Sequence, residues 1–286
     1  MLQFLAPAIV LSILLVGIHA YLGLHVLKRD VIFVDISLSQ ISALGSAVSL
    51  WVTQSENSSS AFFFSLLLCL LVSLGLSLFR KFEKQISQEA IIGITYAFAS
   101  GVLILVMAQL PHGDEHIKTA LIGNILFVSW GSVFETALVY SAIGVIHYLF
   151  RRQFWAISNG ERSSFAWDFL FYFLFGVVIT FSTHHAGVLV VFSILVVPAA
   201  LGCRFAKSIR SRLLFSWVFG VLAVLFSFYL STRFDWPAGA GIVATLTTSF
   251  FIILIGRLLY ERVFNVSRAI SLLAQNHSTP KIRPRL

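Results

Sequence analysis

Long apolar stretches separated by short polar segments run through almost the whole chain. A helix needs about 20 consecutive apolar residues to cross the hydrocarbon core of a bilayer. Such stretches lie at residues 5–27, 31–52, 61–79, 90–110, 119–149, 165–181, 186–203, 213–231 and 238–259. The pattern predicts an all-α fold, a bundle of about eight or nine membrane-spanning helices.

The stretch at residues 119–149 is too long for one straight span. As a single helix it would measure about 46 Å at 1.5 Å per residue, well beyond the hydrocarbon core. Gly123 and Asn124 interrupt it near its start. We therefore expect a short interfacial helix before Gly123 and the span itself after Asn124.

The composition agrees with a membrane protein and excludes several other classes. Of the 286 residues, 58% are hydrophobic and 11% are charged, and the mean hydropathy is +0.92. A soluble domain carries about 25% charged residues, so a soluble enzyme is excluded. Cys69 and Cys203 each stand alone in the sequence, which excludes a CxxC metal motif and a disulfide framework.

The basic residues predict the orientation of the spans. If the turn at Lys28 and Arg29 is cytoplasmic and the spans alternate, only Lys118 and Arg233 of the 20 lysines and arginines fall outside. Cytoplasmic loops collect lysine and arginine, so we expect the N-terminus outside and the C-terminus inside. The net charge of +8 is then an orientation signal and does not indicate a nucleic-acid partner. Residues 1–263 are predicted to form one transmembrane domain, and 264–286 a short cytoplasmic tail.

Histidines and carboxylates gather in the connections predicted to face outside. One group consists of His112, Asp114, Glu115 and His116, and the other is the pair His184 and His185. Imidazole and carboxylate together suit zinc or manganese. Polar loops also contain such residues for no other reason than solubility, so a metal-binding role and an ordinary loop are both open.

A few polar residues lie within the predicted spans. His19 is on the first span, Asp35, Ser39 and Gln40 are on the second, and Glu135 is on the fifth. An ionisable group inside a membrane is costly and indicates a functional site with a partner. The alternative is a polar contact between helices, because small residues on the second span would let helices approach closely. These small residues are Ser42, Gly45, Ser46 and Ser49.

Basic residues with helical spacing follow the seventh apolar stretch. The basic residues are Arg204, Lys207, Arg210 and Arg212, and between them lie Phe205, Ala206, Ser208 and Ile209. The pattern predicts a short amphipathic helix on the cytoplasmic face. It would either anchor the chain at the lipid headgroups or bind a cytoplasmic partner.

The order of these features resembles the ABC-3 family, the membrane permease subunits of metal-ion ABC importers. The segments that carry the resemblance are VIFVDISLSQISALGSAV, LIGNILFVSW, AGVLVVFSILVVPAALGCRFAKSIRSRLL and DWPAGAGIVATLTTSFFIILI. Many family members have histidine where Gln40 stands, Asp35 is one residue away from the usual spacing, and Asn124 replaces a usual aspartate. Residues 204–212 correspond to the coupling helix that fits a groove on the ATPase.

The resemblance implies a transporter subunit that is not itself an enzyme and lies in a bacterial cell membrane as a multi-pass protein. Its expected partners are a cytoplasmic ABC ATPase, an extracellular metal-binding protein, a second permease copy and the lipid membrane. The expected substrate is a divalent metal, zinc or manganese ahead of iron, with no permanently bound cofactor. No G-x-x-x-x-G-K-[ST] segment occurs, so ATP would be bound by another chain. An ATP-independent metal transporter and an intramembrane metal-dependent enzyme are the alternatives.

Overall fold

The computed structural model describes residues 2–55, 58–82, 85–110, 113–161 and 164–277. The helices are α1 (Leu2–Lys28), α2 (Val34–Thr53), α3 (Ser58–Phe79), α4 (Gln88–Met107), α5 (Gly113–Ile122), α6 (Trp130–Leu149), α7 (Arg151–Ser158), α8 (Phe165–Ala186), α9 (Val188–Phe205), α10 (Ile209–Phe234) and α11 (Ala238–His277). Short 3₁₀ turns lie at Arg80–Phe82 and Ile125–Phe127. Within the described ranges, nine helices are long and apolar enough to cross a membrane. The predicted all-α bundle of spans is confirmed.

The long fifth stretch is divided where the sequence indicates. Helix α5 ends before Gly123, whose φ of 71° lies in the left-handed region that favours glycine. A Cβ atom at Gly123 would also lie 2.2 Å from the carbonyl carbon of Ala186, so no side chain fits there. Helix α6 then begins after Ser129, whose hydroxyl accepts a hydrogen bond from the Ser132 backbone at 3.2 Å.

Helix α2 packs closely on α3 through the small residues of the second span. A Cβ atom at Gly45 would lie 2.4 Å from the Cα atom of Ser65. The hydroxyls of Ser46 and Ser65 are 2.9 Å apart, and Ser49 donates to Ser60 at 3.1 Å. These residues therefore provide the close helix approach that the sequence indicates.

Contacts between distant segments show which helix ends share a side of the bundle. Arg29 after α1 and Arg80 after α3 both bond to Asp168 at the start of α8. We call this side the basic side. At the other side, a Cβ atom at Gly239 would lie 2.5 Å from the carbonyl oxygen of Ile122. The ends therefore alternate as the pattern of spans predicts, and the assignment of the basic side to the cytoplasm stays a prediction.

The chain divides into two compact units, Met1–Leu246 and Thr247–Leu286. Helix α11 continues to His277, so the chain is still helical beyond the predicted domain end at residue 263. That boundary and the cytoplasmic location of the tail stay predictions. Residues 278–286 lie outside the described residues.

Candidate functional site

A polar stripe follows one face of α2 for its whole length. Its members are Asp35, Ser39, Ser42, Ser46, Ser49 and Thr53, which are spaced three or four residues apart. The far half of the stripe is bonded to α3, as described above. In the middle, the Thr183 hydroxyl of α8 donates to Ser42 Oγ at 3.4 Å.

The basic-side end of this stripe is buried, and its polar side-chain atoms lack hydrogen-bond partners among the described residues. Asp35 and Ser39 are both 0% exposed. Neither carboxylate oxygen of Asp35 nor the hydroxyl of Ser39 has a hydrogen-bond partner among the described residues. A buried carboxylate without compensation costs several kcal/mol. These oxygens suit a hard divalent cation, which would provide the missing compensation.

Gln40 lies on α2 beside this pair but on a different face. It is buried, with 6% exposure. Five residues of α-helix turn the side-chain direction by about 140° between Asp35 and Gln40. The structure therefore brings Asp35 and Ser39 together on one face and separates Gln40 from them.

His19 lies in a closed hydrogen-bond network between three helices. Its Nδ1 donates to the Leu15 carbonyl at 2.8 Å, and its Nε2 lies 3.1 Å from the Ser182 hydroxyl, which also contacts the Val178 carbonyl of its own helix. The Tyr140 hydroxyl lies 2.5 Å from Ser182 Oγ. Both ring nitrogens of His19 are occupied, so the network joins α1, α6 and α8 and offers no free nitrogen to a metal.

Glu135 lies on the exposed face of α6 rather than inside the chain. Its neighbours on that face are Phe134 and Leu138, which are 70% and 64% exposed. It is five residues from the start of α6 at Trp130, about 7.5 Å along the helix. The fold therefore places Glu135 apart from the buried pair on α2.

The two adjacent histidines belong to a helix, not to a loop as expected. His184 and His185 form the last turn of α8, and the connection to α9 is the single residue Gly187, with φ 78°. Their ring centroids are 5.2 Å apart. Across the described ranges, no group of three or more histidine, cysteine, aspartate or glutamate side chains is close enough to hold a metal ion. His112 and the side chains of Asp114 and His116 lie outside the described residues, so their predicted role stays a prediction.

The prediction of a separate amphipathic helix over residues 204–212 is wrong. Helix α9 continues to Phe205, Ala206 is extended, and α10 begins at Ile209. Ser208 caps α10 in a capping box with Ser211, and this cap starts a new helix where the sequence pattern indicates one continuous helix. The residues of the predicted coupling helix, Arg204, Phe205, Lys207, Ser208 and Arg210, are all exposed around this turn. We call residues 204–210 the exposed basic turn.

Sequence reasoning missed a buried charge cluster on the basic side. Asp168 is 1% exposed and accepts hydrogen bonds from both Arg29 and Arg80. The Arg29 guanidinium also lies 4.3 Å from the ring centre of Phe171. The available signal was that Asp168 is the only acid in its apolar stretch.

A second cluster near the same side pairs His25, which the sequence places on the first span, with His147, a pairing that the sequence does not predict. His25 Nδ1 lies 2.8 Å from Ser158 Oγ, and His147 Nδ1 lies 3.4 Å from the Tyr21 hydroxyl. The two imidazole centroids are 6.1 Å apart. Helix α7, which supplies Ser158, lies in a connection that the apolar pattern leaves without structure.

Comparison with protein families gives one match that spans most of the chain. The sequence profile of the ABC 3 transport family matches residues 1–257. Among curated relatives, the manganese transport system membrane protein MntB of Synechocystis is 28% identical over 186 residues, which cover 62% of this chain and 60% of the relative. This match therefore covers less than two thirds of that relative.

Two other relatives match over most of both chains. The manganese transport system membrane protein MntC of Listeria monocytogenes is 24% identical over 260 residues, 87% of this chain and 89% of the relative. The high-affinity zinc uptake system membrane protein ZnuB of Haemophilus influenzae is 24% identical over 255 residues, 85% and 94% of the two chains.

Two solved structures have the same fold. PsaBC from Streptococcus pneumoniae in complex with Fab superposes with a TM-score of 0.70 at 23% identity and covers 88% of this chain and 92% of that one. An inward-facing metal-chelate type ABC transporter superposes with a TM-score of 0.66 at 16% identity and covers 88% and 85%. At these identities the likeness establishes the fold.

Proposed function

The chain belongs to the ABC 3 transport family, and from that membership we propose that it is the permease subunit of an ATP-driven importer of divalent metal ions. It is a multi-pass protein of the bacterial cell membrane. A separate cytoplasmic ATPase binds and hydrolyses ATP, and an external metal-binding protein delivers the ion. The names of the relatives as membrane proteins of manganese and zinc transport systems support this proposal.

The observation that carries the proposal is the buried, unsatisfied carboxylate of Asp35. Its two oxygens and the Ser39 hydroxyl lack partners within the described part of the chain. A passing divalent cation would compensate this charge for as long as it stays. A site with few ligands binds weakly, and weak binding lets the ion leave again.

The donor set favours manganese over zinc as the transported metal. Asp35 and Ser39 supply oxygen atoms, which suit manganese, whereas zinc prefers imidazole and thiolate ligands. The imidazole of His19 is already bonded to Leu15 and Ser182. Gln40, which stands where many family members have histidine, offers only an amide.

Glu135 belongs to the proposed path through a second copy of the permease. A carboxylate exposed on a membrane span is costly against lipid and needs polar surroundings. A partner copy facing this side of α6 would enclose Glu135 in a polar passage. The pair His184 and His185, at the end of α8 opposite the basic side, would receive the ion there.

Uptake of manganese into vesicles that contain the chain and its ATPase tests the proposal. Asp35→Asn keeps the shape of the side chain and removes its charge, so ATP-dependent uptake should fall about tenfold or more, a loss of 1.4 kcal/mol or more. Asp30→Asn is the matched control, because Asp30 is exposed and its φ of 54° is tolerated by asparagine.

Three outcomes of this experiment would contradict the proposal. Normal uptake by Asp35→Asn at normal abundance would remove Asp35 from the path. Uptake that does not depend on ATP would remove the ATPase from the mechanism, and zinc uptake that is faster than manganese uptake would overturn the choice of metal.

A further inference from the structure

An open groove lies between α1, α6 and α10 on the surface of the chain. Its volume is about 460 Å³, within the range of roughly 300–1,000 Å³ for ligand sites. The residues that define its shape and polarity are Gly17, Tyr21, Gly144, His147, Arg151 and Trp217. It contains none of the residues assigned to the ion path.

Two glycines leave the floor of the groove open. A Cβ atom at Gly17 or at Gly144 would meet no atom within 4 Å. Trp217 forms a wall, because its indole Nε1 crosses from α10 and donates to the Gly17 carbonyl at 2.9 Å. The result is an open, largely apolar groove along the helices rather than a packed contact.

The groove follows the half of α6 that ends at the basic side. Along α6 its lining runs from Ala137 to Tyr148, about 17 Å of helix, and Arg151 follows at the start of α7. Half of the hydrocarbon core is about 15 Å thick. The groove is therefore about as long as one leaflet is thick, and Arg151 lies at its basic-side end.

The polar end of the groove is cationic. Arg151 donates to the Tyr148 carbonyl at 2.9 Å, and its guanidinium lies 4.7 Å from the Tyr148 ring centre. His147, which is 1% exposed, also lines the groove, and its Nε2 has no hydrogen-bond partner among the described residues. Trp155 adds an aromatic ring of the kind enriched at membrane interfaces. The lining, all of it within the described ranges, includes no carboxylate.

We propose that this groove is a binding site for an anionic phospholipid of the leaflet on the basic side. An acyl chain lies on the floor formed by Gly17 and Gly144, and the phosphate pairs with Arg151. The cationic end, the apolar floor and the length of one leaflet all fit this ligand. The site goes beyond the proposed transport function and does not depend on it.

Native mass spectrometry of the full chain in mild detergent tests the site, with phosphatidylglycerol and phosphatidylcholine added in turn. The wild-type chain should retain phosphatidylglycerol in preference to phosphatidylcholine. Gly144→Leu fills the floor and should abolish retention of both lipids. Arg151→Gln should weaken binding of phosphatidylglycerol about fivefold and leave phosphatidylcholine unchanged, because one arginine near the surface attracts an anionic lipid by about that factor.

Two matched controls separate this site from general lipid contact. Gly101→Leu makes the same change at another open helical glycine, and Arg152→Gln removes the neighbouring exposed cation. Both controls should retain lipid as the wild type does. Equal losses in the controls, or no loss in Gly144→Leu and Arg151→Gln, would overturn the proposal. A change from dimer to monomer in Gly144→Leu with lipid retention unchanged would also overturn it, because the groove would then be an interface between copies.

Discussion

The Nε2 atom of His19 lies 3.1 Å from the Oγ atom of Ser182, and this contact joins α1 to α8 inside the bundle. The two residues are separated by 163 positions in sequence. Since the Ser182 hydroxyl is also hydrogen-bonded to the Tyr140 hydroxyl at 2.5 Å, one side chain joins three helices. His19 therefore makes a structural contact between helices inside the bundle.

Ser182→Ala should destabilise the folded chain by about 1 kcal/mol, because it leaves His19 and Tyr140 without their shared partner. Thermal unfolding in detergent measures the loss. Ser193→Ala is the matched control, since the Ser193 hydroxyl donates to the Leu189 carbonyl of its own helix at 2.8 Å. Equal stability of the two variants would show that the network does not stabilise the fold.

Asp168→Asn should reduce the yield of folded protein strongly. The change leaves the Arg29 and Arg80 cations buried together without their carboxylate. Removing one partner of a buried ion pair lowers the free energy of unfolding by about 3–5 kcal/mol. Arg80→Gln should cost less, because Arg29 and Asp168 still neutralise each other. Denaturation of the purified variants measures the order, and a larger loss in Arg80→Gln than in Asp168→Asn would contradict it.

Reversing the charges of Arg204, Lys207 and Arg210 together should release the cytoplasmic ATPase from the chain. All three residues belong to the exposed basic turn, and the other basic residues still direct membrane insertion. Co-purification with the ATPase measures binding, and Arg152→Glu is a control on another exposed connection of the basic side. If the ATPase still co-purifies with the triple variant, the exposed basic turn serves only as a lipid anchor.

Single cysteines placed in a cysteine-free chain should report the orientation of the spans. Cysteine at Gln54 or Glu115 should react with an impermeant reagent from outside, and cysteine at Phe82 or Lys207 should not. The reason is the predicted cytoplasmic location of nearly all lysines and arginines. Reversed reactivity at both pairs would invert the topology.

Much of the fold is predictable because hydropathy is a local property. The apolar stretch at 213–231 lies within α10, because the number of consecutive apolar residues decides whether a helix can span a bilayer. The break at Gly123 separates α5 from α6, because glycine adopts the left-handed conformation easily. Both properties depend on neighbouring residues alone. The local sequence pattern gives a wrong prediction at the exposed basic turn. There, the capping box of Ser208 and Ser211 outweighs the helical spacing of the cations.

The roles of the polar residues depended on tertiary structure. The sequence alone identified His19, Asp35 and Glu135 as costly residues in spans, and it left a path and a helix contact equally open. Helix packing distinguishes the three residues. His19 has a hydrogen-bond partner on α8, Asp35 is buried without a partner among the described residues, and Glu135 lies on the surface. A sequence determines which groups need compensation in a membrane, but only the arrangement of helices decides which groups receive it, because the partners lie far apart along the chain.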